Sequence, residues 1–127
     1  MKFNNEYELL ERIAEEHAEF RATNSEYADG KNRRKYFQCF TNPKESLKML
    51  KLLTNLNGTI FDPTMGSGNL LAAAIIAGAD PKKVYGNEID PDIYVMTVER
   101  LTKLGVPKEN LKNGDILEYF ENEESLF

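Results

Sequence analysis

The second half of the sequence alternates short runs of β-forming residues with helical runs, and this alternation restricts the fold more than any other feature. Three β-branched or aromatic runs are predicted as strands, and the two runs between them have helical spacing and end at glycines. In chain order the segments are a strand at residues 59–61, a helix at 69–77, a strand at 84–87, a helix between the Asp90 cap and Gly105, and a strand around Gly114 and Asp115 within residues 111–117. This order predicts an α/β fold with a short parallel sheet of about three strands, right-handed crossovers and flanking helices.

Two further helices are predicted ahead of the first strand. A capping-box pattern and apolar residues at three- and four-residue spacing predict a helix over residues 5–20. His17, the only histidine, lies on its apolar stripe, so we interpret it as a packed or rim residue rather than a catalytic one. Residues 24–38 are predicted as a loop, and a second helix is predicted from the Asn42 cap to about Asn55.

Length and composition narrow the class of protein. The 127 residues suit one domain with a hydrophobic core, and the net charge of −5 argues against a uniformly basic nucleic-acid-binding protein. No apolar run reaches the roughly 18 residues that span a bilayer, so no membrane partner is expected. The single cysteine, Cys39, excludes an internal disulfide and a cysteine-rich zinc site. It suits a reducing compartment, and we expect a cytoplasmic protein without a metal site.

One basic cluster stands out from this acidic background. Residues 24–48 contain six basic and three acidic side chains, and four of the basic ones are nearly contiguous. This cluster is the only candidate surface for a DNA phosphate backbone, and the alternative interpretation is a solvated linker after a turn. Its residues are Lys31, Arg33, Arg34 and Lys35.

A glycine loop and two acids follow the three predicted strands. The loop at Gly66 lets a ligand approach the backbone. Glu88, at the end of the second strand, can accept hydrogen bonds from ribose hydroxyls. Asp115 can accept a hydrogen bond from an adenine amino group. Together these positions predict a site for a ligand that contains adenosine. Leu71 stands where a dinucleotide fingerprint requires a third glycine, and the Gly-Lys-Ser/Thr of a phosphate-binding loop is absent. S-adenosylmethionine carries a sulfonium and no phosphates, so nearby acids such as Asp62 would be tolerated or favoured.

The same segments resemble the motifs of adenine-specific DNA methyltransferases, including the modification subunits of type I restriction systems. Asp62-Pro63-Thr64-Met65-Gly66-Ser67-Gly68 resembles the first motif, Asn87-Glu88-Ile89-Asp90 the second, and Gly114-Asp115-Ile116-Leu117 the third. Phe40-Thr41-Asn42-Pro43 is similar to an aromatic-Thr-Pro segment that closes over the methionine end of the cofactor, although here Asn42 intervenes. The resemblance implies S-adenosylmethionine as cofactor and a Rossmann-like methyltransferase fold. The residues implied in cofactor binding are Phe40, Thr41, Asp62, Pro63, Gly66, Ser67, Gly68, Asn69, Glu88, Ile89, Asp115 and Ile116.

The resemblance covers the cofactor half of that family and no more. We expect residues 1–35 to form an N-terminal helix and basic linker, and residues 36–127 a truncated cofactor-binding domain. The family's catalytic Asn/Asp-Pro-Pro-aromatic loop has no counterpart in the sequence, which contains no Pro-Pro, so no catalytic residue is predicted. The chain is therefore expected to be inactive alone or to need a partner chain. The alternative is a non-catalytic cofactor-binding or interaction module that associates with a restriction-modification methyltransferase.

A sheet of three strands also has a consequence for assembly. In the parent fold the first strand is central, so here residues 59–61 would lie at an edge with unpaired backbone groups. Three arrangements would cover that edge: self-association, the helix of residues 5–20, or a partner chain that supplies further strands. We favour a homo-oligomer or a partner chain over a plain monomer.

Overall fold

A computed structural model describes residues 5–24, 42–53 and 55–121. The elements within these residues, in chain order, are α1 (Glu6–Thr23), α2 (Pro43–Leu50), β1 (Ile60–Asp62), α3 (Asn69–Ile76), β2 (Val84–Glu88), α4 (Pro91–Lys103), β3 (Leu111–Asn113) and α5 (Ile116–Glu121), with short 3-10 turns at Pro81–Lys83 and Lys108–Asn110. The predicted loop at 24–38 and the predicted division at residue 35 lie almost wholly outside these ranges.

The three strands form one parallel sheet in the order β1-β2-β3. Ile60 lies beside Val84, and Gly86 lies beside Leu111 on the other side of β2. Each crossover runs through one helix, α3 between the first two strands and α4 between the last two. The predicted α/β fold with a short parallel sheet and flanking helices is confirmed.

The hydrophobic core joins the sheet to the helices α1, α2 and α3, and Leu101 of α4 belongs to the same cluster. α3 is apolar on nearly every side, and its residues Leu71 to Ala74 are at most 1% exposed. The side chains of Leu9 and Ile13 on α1, and of Leu47 and Leu50 on α2, belong to the same buried cluster. The alanines of α3 let the neighbouring helices approach closely, which explains how so short a helix is enclosed on most of its faces.

Two elements depart most from their predicted bounds. The second helix ends at Leu50 rather than near Asn55, and turns follow it. The third strand is not centred on Gly114 and Asp115. It ends at Asn113, because the pairing with β2 ends where Asn113 lies beside Glu88. None of the described helices is long and apolar enough to cross a membrane.

Candidate cofactor site

The carboxyl ends of the three strands surround one cleft, with a volume of about 360 Å³. Parallel strands bring their carboxyl ends to one edge of the sheet, where ligands bind in folds of this kind. Five of the predicted cofactor residues line the cleft together with Asn87 and other neighbours; the five are Pro63, Glu88, Ile89, Asp115 and Ile116. The cleft thus gathers residues from all three predicted motifs.

Glu88 ends β2, and each of its carboxylate oxygens is already engaged with the backbone. Oε1 accepts a hydrogen bond from the Gly66 amide at 3.0 Å, and Oε2 accepts one from the Asp90 amide at 2.9 Å. The residue is 9% exposed. A carboxylate oxygen has two lone pairs, so these bonds leave capacity for donors such as ribose hydroxyls. Glu88 therefore fixes the glycine loop to the sheet as well as facing the cleft.

The glycine loop, residues 65–68, is held by hydrogen bonds to β2 and α4 and by one within the loop. Its Met65 amide donates to the carbonyl of Asn87 at 2.9 Å, and the Gly68 amide donates to the Met65 carbonyl at 2.8 Å. The hydroxyl of Thr97, on α4, donates to the Gly66 carbonyl at 2.5 Å. Gly66 and Gly68 have φ angles of 57° and 82°, in the left-handed region that favours glycine.

Asn87 joins two walls of the cleft. Its Nδ2 donates to the Pro63 carbonyl at 3.1 Å and to the Gly114 carbonyl at 2.9 Å, so it connects the segments after β1 and β3. Because both partners are carbonyl acceptors, the amide orientation is determined. Its Oδ1 is buried and has no hydrogen-bond partner among the described residues.

Asp115 stands at the rim of the cleft and starts α5. Its Oδ1 accepts a hydrogen bond from the Leu117 amide at 2.9 Å, a local capping contact on exposed backbone. The expectation that Asp115 lies at the end of a strand is corrected: β3 ends two residues earlier. Asp115 lines the cleft together with Glu88 and Ile89, and its role in cofactor binding stays a prediction.

Asp62, at the end of β1, adds a second carboxylate near Glu88. Burial raises the pKa of Asp62 above its ordinary value, and the nearby Glu88 charge acts in the same direction, while the Thr64 amide, 3.1 Å from Oδ1, opposes both. The negative charge of Asp62 is disfavoured by burial and by the neighbouring Glu88. A further negative group such as a phosphate would add to this repulsion, whereas a cation would relieve it.

The backbone carbonyl of Ser67 and the side-chain oxygen of Asn69 face α4, whereas the buried Ser67 hydroxyl has no hydrogen-bond partner among the described residues. The guanidinium Nη1 of Arg100 donates to the Ser67 carbonyl at 2.9 Å and to Asn69 Oδ1 at 2.7 Å. Both residues are less than a tenth exposed. These two predicted cofactor residues therefore meet α4 rather than the lining of the cleft.

Several predicted site residues lie outside the described part of the chain. They are the two aromatic-Thr positions and the four basic residues, namely Phe40, Thr41, Lys31, Arg33, Arg34 and Lys35. Their roles in cofactor or DNA binding stay predictions.

Thr97 and Arg100 are functional candidates that the sequence motifs do not include. Both lie on the buried stripe of α4, which also carries Ile93, Met96 and Leu101. A polar residue on an apolar helical stripe needs a buried partner, and that mismatch is the signal that could have identified them. Asn87, within the second motif, similarly stands in a strand that is buried along most of its length.

Comparison with known proteins gives two partial likenesses. Over 60 residues, 46% of this chain, it is 37% identical to the Type II methyltransferase M.VspI of Vibrio sp. (strain 343), of which the match covers 15%. The crystal structure of the type I restriction-modification system methyltransferase subunit from Streptococcus thermophilus covers 62% of this chain, at 30% identity and a TM-score of 0.48, and 19% of that subunit is matched. No family model matches the chain. The chain thus spans less than a fifth of either protein. Over the 60 matched residues, the sequence likeness to a type II methyltransferase confirms a partial methyltransferase resemblance.

Proposed function

We propose that this chain binds S-adenosylmethionine as the cofactor-binding part of an adenine-specific DNA methyltransferase. The proposal starts from the partial likeness to two methyltransferases and from the three motifs. The observation that carries it is the convergence of Glu88, Ile89 and Asp115 on one cleft of about 360 Å³, because Glu88 and Ile89 belong to the second motif and Asp115 to the third.

The charge of the cleft selects among ligands that contain adenosine. Glu88 and Asp115 line it, and Asp62 lies next to Glu88 with a raised pKa. A triphosphate or pyrophosphate would bring further negative charge to these carboxylates, whereas the sulfonium of S-adenosylmethionine brings a positive one. Its methionine end carries both an ammonium and a carboxylate, so the net positive charge of the ligand comes from the sulfonium.

Calorimetric titration of the purified chain with S-adenosylmethionine, and with ATP as the anionic comparison, tests the proposal. We expect saturable 1:1 binding of S-adenosylmethionine and at least tenfold weaker binding of ATP, because like charges disfavour the phosphates. Equal affinity for both ligands, or no binding of either, would contradict the proposed cofactor.

A matched pair of variants tests the place of binding. Asp115 and Asp80 each accept a hydrogen bond from the backbone amide two residues ahead, at 2.9 and 3.0 Å, but only Asp115 lines the cleft. Asp115→Ala should weaken S-adenosylmethionine binding by about tenfold to a hundredfold, the range for losing a hydrogen bond to a charged group. Asp80→Ala loses the same kind of cap and should bind like the unmodified chain. Equal affinities of the two variants would place the ligand elsewhere.

Methyl transfer requires a further polypeptide segment under this proposal. The 127 residues contain no Asn/Asp-Pro-Pro-aromatic segment, and the proposed acceptor is adenine in DNA, approached through the basic cluster Lys31, Arg33, Arg34 and Lys35. Incubation with S-adenosylmethionine and DNA should give no methylated adenine unless a methyltransferase partner is added. The single cysteine, Cys39, suits a reducing cytoplasm as the proposed location.

An interaction module without catalysis is the second candidate. It is favoured by the place of β1 at the edge of the sheet that the described residues form, where Phe61 is 42% exposed. Such an edge can pair with a strand of another chain. Complex formation with a restriction-modification methyltransferase that leaves methylation unchanged or lowers it would support this candidate, and partner-dependent methylation would support the first.

A further inference from the structure

Arg100 is the most completely buried charged group among the described residues, at 5% exposure, and it contacts two separate parts of the molecule. Its Nε donates to Glu16 Oε2 at 2.9 Å and its Nη2 to Glu16 Oε1 at 2.5 Å. Its Nη1 donates to the Ser67 carbonyl and to Asn69 Oδ1. One guanidinium on α4 therefore connects α1 to the glycine loop.

The pairing with Glu16 is what permits this cation to be buried. A guanidinium does not lose its proton in proteins, so a buried one needs a charge partner and acceptors for its N–H groups. The Glu16 side chain is 18% exposed and that of Arg100 is 3% exposed, so water screens the pair little. The ring of Phe20, also on α1, lies against the guanidinium, with its centroid 4.2 Å away. α1 thus supplies both the charge partner and one packing surface of Arg100.

α4 fixes two successive carbonyls of the glycine loop. Thr97 holds the Gly66 carbonyl, and Arg100, three residues further along the helix, holds the Ser67 carbonyl. The Gly66 carbonyl shares its peptide plane with the Ser67 amide, and the Ser67 carbonyl shares its plane with the Gly68 amide. Fixing both carbonyls therefore also sets the direction of these two amides. The loop conformation therefore depends on where α1 holds Arg100.

We infer that Glu16 is a positioning residue for the cofactor loop, acting through Arg100, so that the docking of α1 controls the order of the glycine loop. Its effect on ligand affinity rests on the proposed function, whereas its effect on the loop does not. α1 lies outside the three motifs and does not line the cleft, yet it becomes part of the cofactor site through this contact.

Glu16→Gln tests the inference, with Glu15→Gln as the matched control. Glu15 lies on the same helix and pairs with Arg12, but its side chain is 54% exposed. Hydrogen exchange of the Gly66 and Gly68 amides, measured without ligand, reports the order of the loop. We expect faster exchange there in Glu16→Gln and about tenfold weaker S-adenosylmethionine binding, a common size for coupling between separate sites. Glu15→Gln should match the unmodified chain in both measurements.

A double variant separates positioning from stability. Glu16→Gln alone leaves a buried cation without its charge partner and could unfold the domain, whereas Glu16→Gln with Arg100→Met removes the charge and keeps an apolar side chain of similar length. The double variant should regain thermal stability and still show fast exchange at Gly66 and Gly68. A double variant with normal stability, normal exchange and normal affinity would overturn the inference. Faster exchange in a chain that never binds S-adenosylmethionine would support positioning and overturn the proposed function instead.

Discussion

The two glycines of the loop that share a left-handed backbone differ in what surrounds them. A Cβ at Gly68 would lie 3.0 Å from Thr97 Cγ2 and 3.3 Å from both terminal methyls of Leu101. A Cβ at Gly66 would meet nothing within 4 Å. Gly66 is thus required by its φ angle alone, and Gly68 by its φ angle and by the close approach of the loop to α4.

This difference predicts unequal effects of the same substitution. Gly66→Ala should cost about 1–2 kcal/mol of unfolding free energy, the cost of a left-handed conformation for an alanine. Gly68→Ala should cost about 1–3 kcal/mol more, because the added methyl overpacks against α4. Urea unfolding of the two variants measures this, and equal losses would show that the contact with α4 relaxes freely.

At the scale of single elements, α1 carries a buried histidine. His17 is 7% exposed, and its Nε2 has no hydrogen-bond partner among the described residues. Burial lowers the pKa of His17 from 6.5 to about 4, the charges of Arg100 and Arg21 act in the same direction, and Glu16 opposes them. The structure agrees with the interpretation of His17 as a packed residue.

The docking of α1 should therefore weaken in mild acid. Between pH 6.5 and about 4 the unfolded chain binds a proton at His17 that the folded chain does not, so the free energy of unfolding falls as the pH falls through this window. The loss should approach about 3 kcal/mol at pH 4, at roughly 1.4 kcal/mol per pH unit. Unfolding by urea at several pH values measures it.

His17→Gln supplies the control for this pH dependence. The variant cannot titrate at this position, so its stability should fall less over the same window. Asp62 has the opposite effect on stability in both the variant and the unmodified chain. Its pKa is raised in the folded chain, so the folded chain binds a proton before the unfolded chain does and gains stability as the pH falls toward 3.8. Identical pH profiles of the variant and the unmodified chain would contradict the assignment to His17.

At the scale of the whole molecule, β1 leaves one edge of a three-stranded sheet without a further strand among the described residues. α1 packs against α2 and α3. It therefore completes the helical layer and does not extend the sheet. An edge strand with a half-exposed aromatic side chain is a typical site of strand pairing between chains.

We predict concentration-dependent self-association of the isolated chain through β1. Phe61→Lys places a charge on the edge strand and should shift the protein to monomer, whereas Tyr7→Lys, on a residue that is 84% exposed on α1, should leave association unchanged. Sedimentation velocity over a hundredfold range of concentration distinguishes these cases. A monomer throughout that range would contradict the prediction.

The sequence by itself determined the order of the elements, the parallel sheet and the gathering of Glu88 and Asp115 at one edge. These features follow from local causes: hydrophobic periodicity, caps, glycines, and the rule that parallel strands end at the same edge. The end of β3 was less predictable, because a three-residue strand is delimited by its pairing with β2 and its own residues hardly distinguish strand from turn.

Only the tertiary structure decided which groups hold the site in place. Glu88 reaches the Gly66 amide across 22 residues, and Arg100 reaches Glu16 across 84. The position of Arg100 on an apolar stripe indicates that a partner must exist, but any acid brought near by folding could serve. Local patterns constrain the backbone, while pairing between distant side chains depends on how the finished helices pack, and that packing connected α1 to the glycine loop through Arg100.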